Sequence, residues 1–233
     1  TLAFKFEGYD FDALDDDVVQ KRFLDAMESG ALQPGDYWRT EDQPFMGFLH
    51  NGGTNKQHIF GADSSTSETQ TEANVAGHRA ALRLLRFIRT IPGCEEATLA
   101  WMSPMAAVRE TTRIVGETTV TYEDYMEARV FDDAVCYSLY YVDVHTEHGV
   151  EHEFVQPGRI PTVPLSALVP QGTDALLAAG RCVSSDRLAN SALRVEASCM
   201  AMGQAAGAAS ALGVRTETPS RAVSLDALRA LLR

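Results

Sequence analysis

Residues 173–212 read TDALLAAGRCVSSDRLANSALRVEASCMAMGQAAGAASAL, and the fold turns on this stretch. The run Ala175–Gly180 is apolar and ends in glycine, which predicts a short buried strand. A glycine at such a strand end lets another group approach the backbone. Asn190 and Ser191 stand where a helix would begin, and both are good N-caps. The helix predicted from Ser191 to Leu212 would be about 33 Å long. Its Gly203 and Gly207 are four residues apart and so share a face. With Ala206 and Ser210 beside them they form a surface that a neighbouring backbone can approach closely; ordinary packing against a strand would use the same face. A helix start presents free N–H groups and a partial positive charge, which suits an electron-rich oxygen or an anion.

Upstream, Leu2, Phe4 and Phe6 alternate as in a half-buried strand. Residues 10–30 predict a helix with its acids in the first turn and Gly30 as its stop. FMGFLHNGG and KQHIFGAD predict a hairpin around Asn51-Gly52-Gly53. Residues 67–88 predict a long helix with Ser67 and Gln70 as capping box and Val75, Leu82, Leu85 and Ile88 at helical spacing. ATLAWM predicts a short strand, and AVRETTRIVGETTV a strand and turn. Thr121 with Asp124 opens a short helix. AVCYSLYYVDVHTEHG predicts one long strand, and VEHEFVQPGRIPTVP another that runs into a connection. Ser224 caps a final helix. The change of texture over residues 156–172, with four prolines, marks the expected boundary between two regions.

The 233-residue chain is 45% apolar, normal for a globular core, with a formal charge of −12. That balance argues against binding nucleic acid or an anionic membrane surface, since both reward Lys and Arg. No apolar run is long enough for a transmembrane helix. Cys94, Cys136, Cys182 and Cys199 form no CxxC pair, so zinc-ribbon and thioredoxin readings fail, and four scattered thiols suit a reduced, cytoplasmic protein. No HExxH, GxSxG or Cys/His ligand set is present, so no metal is expected.

The ordered series HRAALRLLRFIR, VRETTRIVGE, TVTYEDYMEARVFDDAV, YYVDVH and AAGRCVSSDRLANSALRVEASCMAMGQAAGAA resembles the FAD-dependent oxidoreductase family. This family is of the two-dinucleotide-binding-domain flavoprotein type, and its C-terminal part carries an AGR…S…R…GQAAG signature. The resemblance spans most of residues 1–215. It implies an α+β or partial α/β chain, with a mixed-sheet substrate domain over residues 1–160. Residues 161–233 would supply the C-terminal strand and long helix of a Rossmann-like FAD-binding domain. It implies FAD as cofactor, with Gly180 and Arg181 near its ribityl and pyrophosphate part. Asn190, Ser191, Ala192 and Leu193 would lie at the flavin pyrimidine edge. The two GQAAG glycines would pack against a dinucleotide-binding motif. That GxGxxG turn is not in this sequence: of 17 glycines no two are separated by a single residue. The expectation is therefore a C-terminal portion working with a GxGxxG-containing FAD-binding chain or segment. Thr1 opening inside a strand pattern agrees, as would a split gene or proteolytic processing.

Oxidation of a small alcohol, sugar or amine substrate by flavin needs a base to take a proton as hydride leaves. His145 is the first candidate and His50 the second, with His58 and His148 also available. Asp143 and His145 share one face of their strand, about 7 Å apart. Arg109 and Arg113 share a face as strand or helix and would bind a substrate carboxylate or steady an oxyanion. Each of these side chains also has an ordinary reading, as a satisfied polar group in a sheet or as a partner of Glu110 or Glu117. Two other functions fit parts of the sequence. An N-terminal Thr1 nucleophile with its own amine as base would make a hydrolase or a self-processing fragment. A non-catalytic subunit that docks to a flavoprotein would use the same small-residue face.

Overall fold

A computed structural model of the protein describes residues 1–37, 44–146 and 149–232. The class is α+β, and contacts divide the chain into two compact units: residues 1–111 with 145–150, and residues 112–144 with 151–233. This packing division does not follow the texture change at 156–172, because residues 112–144 pack with the C-terminal part of the chain.

In the first unit the Leu2/Phe4/Phe6 alternation does what its period predicts. Strand β1 (Phe4–Glu7) buries Phe4 and Phe6 and leaves Lys5 and Glu7 outside. The 3-10 turn Phe11–Ala13 leads to helix α1 (Asp16–Glu28), where the Asp15 carboxylate accepts from the Val18 N–H and Val19, Phe23 and Ala26 face the core. The expected hairpin at 45–64 is not formed. Helix α2 (Met46–Asn51) takes the first half, and strand β2 is only Gly53–Thr54. The reason lies in Asn51-Gly52-Gly53. Gly52 adopts φ +66° and ends α2 as a left-handed cap, so the glycines stop a helix instead of turning a hairpin. A Cβ on Gly52 would lie 2.7 Å from the Phe6 carbonyl oxygen, so β1 packs directly on that cap.

Helix α3 (Ser67–Ile88) begins one residue earlier than its expected box: Thr66 and Thr69 exchange the capping bonds. Its buried stripe is Ala73, Gly77, Ala80, Ala81, Leu84 and Ile88, whereas Val75 and Leu82 are exposed. The small residues, not the branched ones, let α3 sit close to its neighbours. Strand β3 (Thr98–Met102) completes an antiparallel sheet in the order β2-β1-β3. The core beneath it is aromatic: Phe45 stacks on Phe23 at 5.0 Å and on Phe48 at 4.8 Å.

In the second unit helix α4 (Tyr122–Met126) starts on the expected Thr121/Asp124 capping box. Burial alone would push the Asp124 carboxyl up, but the Arg129 guanidinium and the Thr121 cap bonds outweigh it and hold that carboxyl below its usual range. A depressed folded pKa means its stabilisation is present at neutral pH and lost as pH falls through that value. Asp124→Ala is expected to cost about 1 kcal/mol at pH 7 and progressively less in acid, measurable by thermal melts at pH 7 and pH 3. A cost that grew in acid would contradict this.

The long strand expected over 134–149 is two, β4 (Ala134–Tyr137) and β5 (Val142–Thr146). Between them Ser138 turns inward to a buried chain in which its hydroxyl meets Tyr125 Oη at 2.8 Å and Ser198 Oγ at 3.0 Å. Strand β5 pairs with β6 (Gly149–Glu153), and β4 pairs antiparallel with β7 (Thr162–Pro164). The stretch 107–114, expected as a strand, is irregular.

The opening stretch departs furthest from expectation. Residues 173–180 form no strand, and Leu176 is 54% exposed. A strand exists only where ladder partners exist. Here the backbone bond from Ala178 N–H to the Leu168 carbonyl (2.8 Å) stands alone among the described cross-strand contacts of this segment. The single helix expected from Ser191 is also two, α5 (Arg187–Leu193) and α6 (Glu196–Thr216). The N-cap is Asp186, whose carboxylate accepts from Ala189 N–H at 2.8 Å. Asn190 and Ser191 therefore lie inside α5 and do not cap it. Met202, Ala205, Ala209 and Leu212 of α6 enter the core, and Ser224 caps α7 (Leu225–Leu231) as expected. Among the described residues no helix is long and apolar enough to cross a membrane.

Candidate active site

In the first unit three sequence-predicted side chains meet. His145, near the end of β5, places its Nδ1 3.1 Å from His58 Nε2, with ring centroids 4.4 Å apart. Arg109 Nη2 stands 3.5 Å from His145 Nε2. A guanidinium only donates, so a hydrogen bond at this contact requires Nε2 as the acceptor and the tautomer with the His145 proton on Nδ1, facing His58. The array thus has a direction: Arg109 to His145 to His58. Both imidazoles are half-buried and Arg109 is exposed, so solvent reaches the Arg109 end of the array.

The remaining candidates are elsewhere. His50 is on the last turn of α2, exposed, with its ring edge-on to Phe11 at 4.9 Å. Arg113 belongs to the second unit and makes no described hydrogen bond or ion pair. His148 lies outside the described residues. The amine of Thr1 meets the Ala107 carbonyl at 3.4 Å, and burial, then Arg109, brings that amine down to about 6.

In the second unit Asp143 is the centre of a cluster that was not foreseen. Its Oδ1 lies 3.3 Å from His152 Nε2 and its Oδ2 3.5 Å from Arg194 Nη2, while its carbonyl accepts from Arg194 at 3.1 Å. Its N–H donates to Ser191 Oγ at 3.0 Å. Arg194 is the residue at which α5 ends, and its buried side chain reaches Asp143 at that break between α5 and α6. A signal was available: Arg194 is the sole basic residue between Arg187 and Arg215, in an otherwise nearly uncharged helical stretch. Such a lone cation points to a buried partner.

The cofactor candidates divide into two groups. Gly180 has φ +94°, and an added Cβ would meet nothing nearer than the Cys199 side chain at 4.0 Å, so its backbone can be approached. Arg181 is exposed. Asn190, Ser191, Ala192 and Leu193 are buried in α5, with Asn190 Nδ2 donating to the Arg181 carbonyl at 3.2 Å and to Ser185 Oγ at 3.1 Å. Asn190 Oδ1 is buried without a partner. The N–H groups of Asn190 and Arg194 are committed to helical bonds. These four residues are consequently not a helix's open first turn. The long helix α6 has the uncapped start, at Val195.

The model of one protein family, the FAD dependent oxidoreductases, matches residues 1–232. The chain belongs to that family. No curated protein and no solved structure matches it. Membership in the FAD-dependent oxidoreductases gives the chain a flavin-linked redox role and implies FAD binding. Among the described residues no cluster of His, Cys, Asp and Glu is arranged to hold a metal ion.

Proposed function

We propose that this chain supplies the substrate side and the closing edge of the cofactor site in an oxidoreductase that takes hydride from a small alcohol, sugar or amine. The observation that carries this reading is the directed array Arg109–His145–His58 in a chain of a flavin family. A substrate hydroxyl or ammonium group displaces Arg109 from His145 Nε2 and gives that nitrogen its proton; for a hydroxyl substrate the guanidinium turns to the developing oxyanion. His58 holds the imidazole in the tautomer that leaves Nε2 unprotonated. FAD, when bound, accepts the hydride.

Gly180 and Arg181 would hold the cofactor, which the open backbone of Gly180 supports. The orphaned Asn190 Oδ1 offers an acceptor just beneath that turn. Residues 1–160 are the substrate domain and 161–233 the end of the FAD domain in this reading, and the protein works in the cytoplasm.

The partner is a segment carrying GxGxxG. Two features support it: the apolar residues 175–179 lack ladder neighbours among the described residues, and α6 leaves Gly203 and Gly207 with nothing within 4 Å of an added Cβ. Exposed Met200 and Val214 flank those glycines on the same face. Co-expression with that segment should give a yellow complex, and Gly203→Leu should remove most of its flavin absorbance by filling the close contact. A colourless wild-type complex would sink the cofactor reading. A Gly203→Leu complex as yellow as wild type would instead exclude this face as the contact.

A further inference from the structure

The first unit contains a cleft of about 410 Å³ between the C-terminal turns of α1 and α3, within the range typical of small-molecule sites. Its floor is apolar, formed by the buried Ala26 and Phe87, and three arginines stand around it: Arg22, Arg83 and Arg86. We propose that this cleft binds a small amphipathic organic anion, with its oxyanion head on the three guanidinium groups and its hydrocarbon body on Phe87 and Ala26.

The charge of the cleft runs against that of the chain. The protein carries −12, yet this cleft holds three guanidinium groups against two carboxylates, Asp25 in its wall and Asp36 behind Arg83. Helix-surface arginines normally pair with acids one turn away. Arg86 has Leu82 and Thr90 at those positions, and Arg22 has Val18 and Ala26. No ion pair joins Asp25 to Arg22 or Arg86 among the described residues, although Asp25 follows Arg22 by three. Both guanidiniums are exposed. A helix C-terminus attracts cations and accounts for one arginine in the last turn of α3. It does not account for Arg22, which lies in the middle of α1.

Arg83 is held in place from behind. Its Nε donates to Asp36 Oδ2 at 2.8 Å and its Nη2 to Asp36 Oδ1 at 2.7 Å, a two-bond fork on a carboxylate that is 2% exposed. Asp36 Oδ2 also accepts from the Gln33 N–H at 2.9 Å, which fixes the carboxylate in turn. Nε and Nη2 are thereby committed, and Nη1 keeps its donors for another acceptor. Rigid placement of one donor lowers the ordering cost of binding, and the planar fork of Arg22 or Arg86 suits a carboxylate or phosphate head. The lining between the arginines is mostly apolar, which favours a ligand with a hydrocarbon body over a bare ion.

Two sources share this chemistry, a fatty or aromatic carboxylate and a phosphate monoester, and calorimetric titration of the whole chain separates them. Octanoate should saturate at about 0.1–1 mM, and acetate and neutral octanamide should bind at least about tenfold more weakly. Phenyl phosphate binding tighter than octanoate would assign the head as a phosphate monoester, and the reverse order as a carboxylate; both support the site. The Arg22→Ala/Arg86→Ala double variant should weaken the better probe by at least about tenfold while its Tm stays within about 2 °C, because both side chains are exposed. Should that variant fail to fold, Arg86→Lys, which keeps the charge but removes the fork, should still weaken binding about threefold or more. Absence of saturable heat for both probes at about 5 mM overturns the proposal. So does octanamide binding equal to octanoate, inorganic phosphate binding as tightly as phenyl phosphate, or a folded variant with unchanged affinity.

Discussion

Asp143→Ala should cost about 3 kcal/mol of stability or more, the loss typical of removing one partner from a buried ion pair. The Arg194 side chain is only 5% exposed, and the Asp143 carboxylate and carbonyl are its described acceptors. Removing the carboxylate takes a described anion away from a buried guanidinium. His152 loses its anion as well, but it is partly exposed and can turn to water. The pair is asymmetric, and this sharpens the test. Arg194→Met removes the buried cation, keeps the volume, and leaves Asp143 with His152, so it should cost distinctly less than Asp143→Ala. Urea denaturation of both variants decides it. A loss below about 1 kcal/mol for Asp143→Ala, or the opposite ranking, would show that the cluster does not hold α5 in place.

Local rules carried much of the fold. The strand Phe4–Glu7 followed from period two, α4 from its Thr121/Asp124 box, and α7 from Ser224, because each depends on residues within one turn of itself. The failures needed distant partners. Apolar residues 175–179 satisfy every local rule for a buried strand, but a strand is a property of its neighbours, and here those are lacking. FMGFLH is apolar enough for either state, and the left-handed Gly52 against β1 selected helix. Arg194, at the break, is paired with Asp143, 51 residues away, which no local window on the sequence contains.

The candidate site was legible in residue type and not in grouping. His145, His58 and Arg109 were all candidates, but 87 residues separate the two histidines, and only tertiary structure chose His58 over His50 as the neighbour. Arg109 and Arg113 would share a face in any regular element. Because 107–114 is irregular, that argument lost its basis, and the two fall in different units. For the cofactor side, Gly180 kept its expected openness, while Asn190 and Ser191 exchanged a capping role for an interior one. The substitution of Asp186 as cap follows the same side-chain rule, applied four residues earlier.

His145→Ala should slow reduction of the cofactor by substrate by about 10²–10⁴-fold, the contribution of a positioned general base. The measurement is rapid mixing of substrate with the flavin-loaded complex, with flavin content determined on the same sample. Content should be unchanged, because His145 is assigned to the substrate. His58 acts through His145 and is a positioning residue, so His58→Ala should cost less, about tenfold, and should displace the pH profile of reduction. His58→Asn, which can still accept from His145 Nδ1–H, should restore most of that loss. Arg109→Lys retains a cation without the planar fork and should raise KM more than it lowers kcat if the guanidinium binds a ground-state carboxylate. It should lower kcat if the guanidinium stabilises an oxyanion. Reduction by His145→Ala at a rate within about twofold of wild type would remove this imidazole from the chemistry. The array would then be a satisfied polar contact of the first unit, and the base would have to be sought among residues outside it.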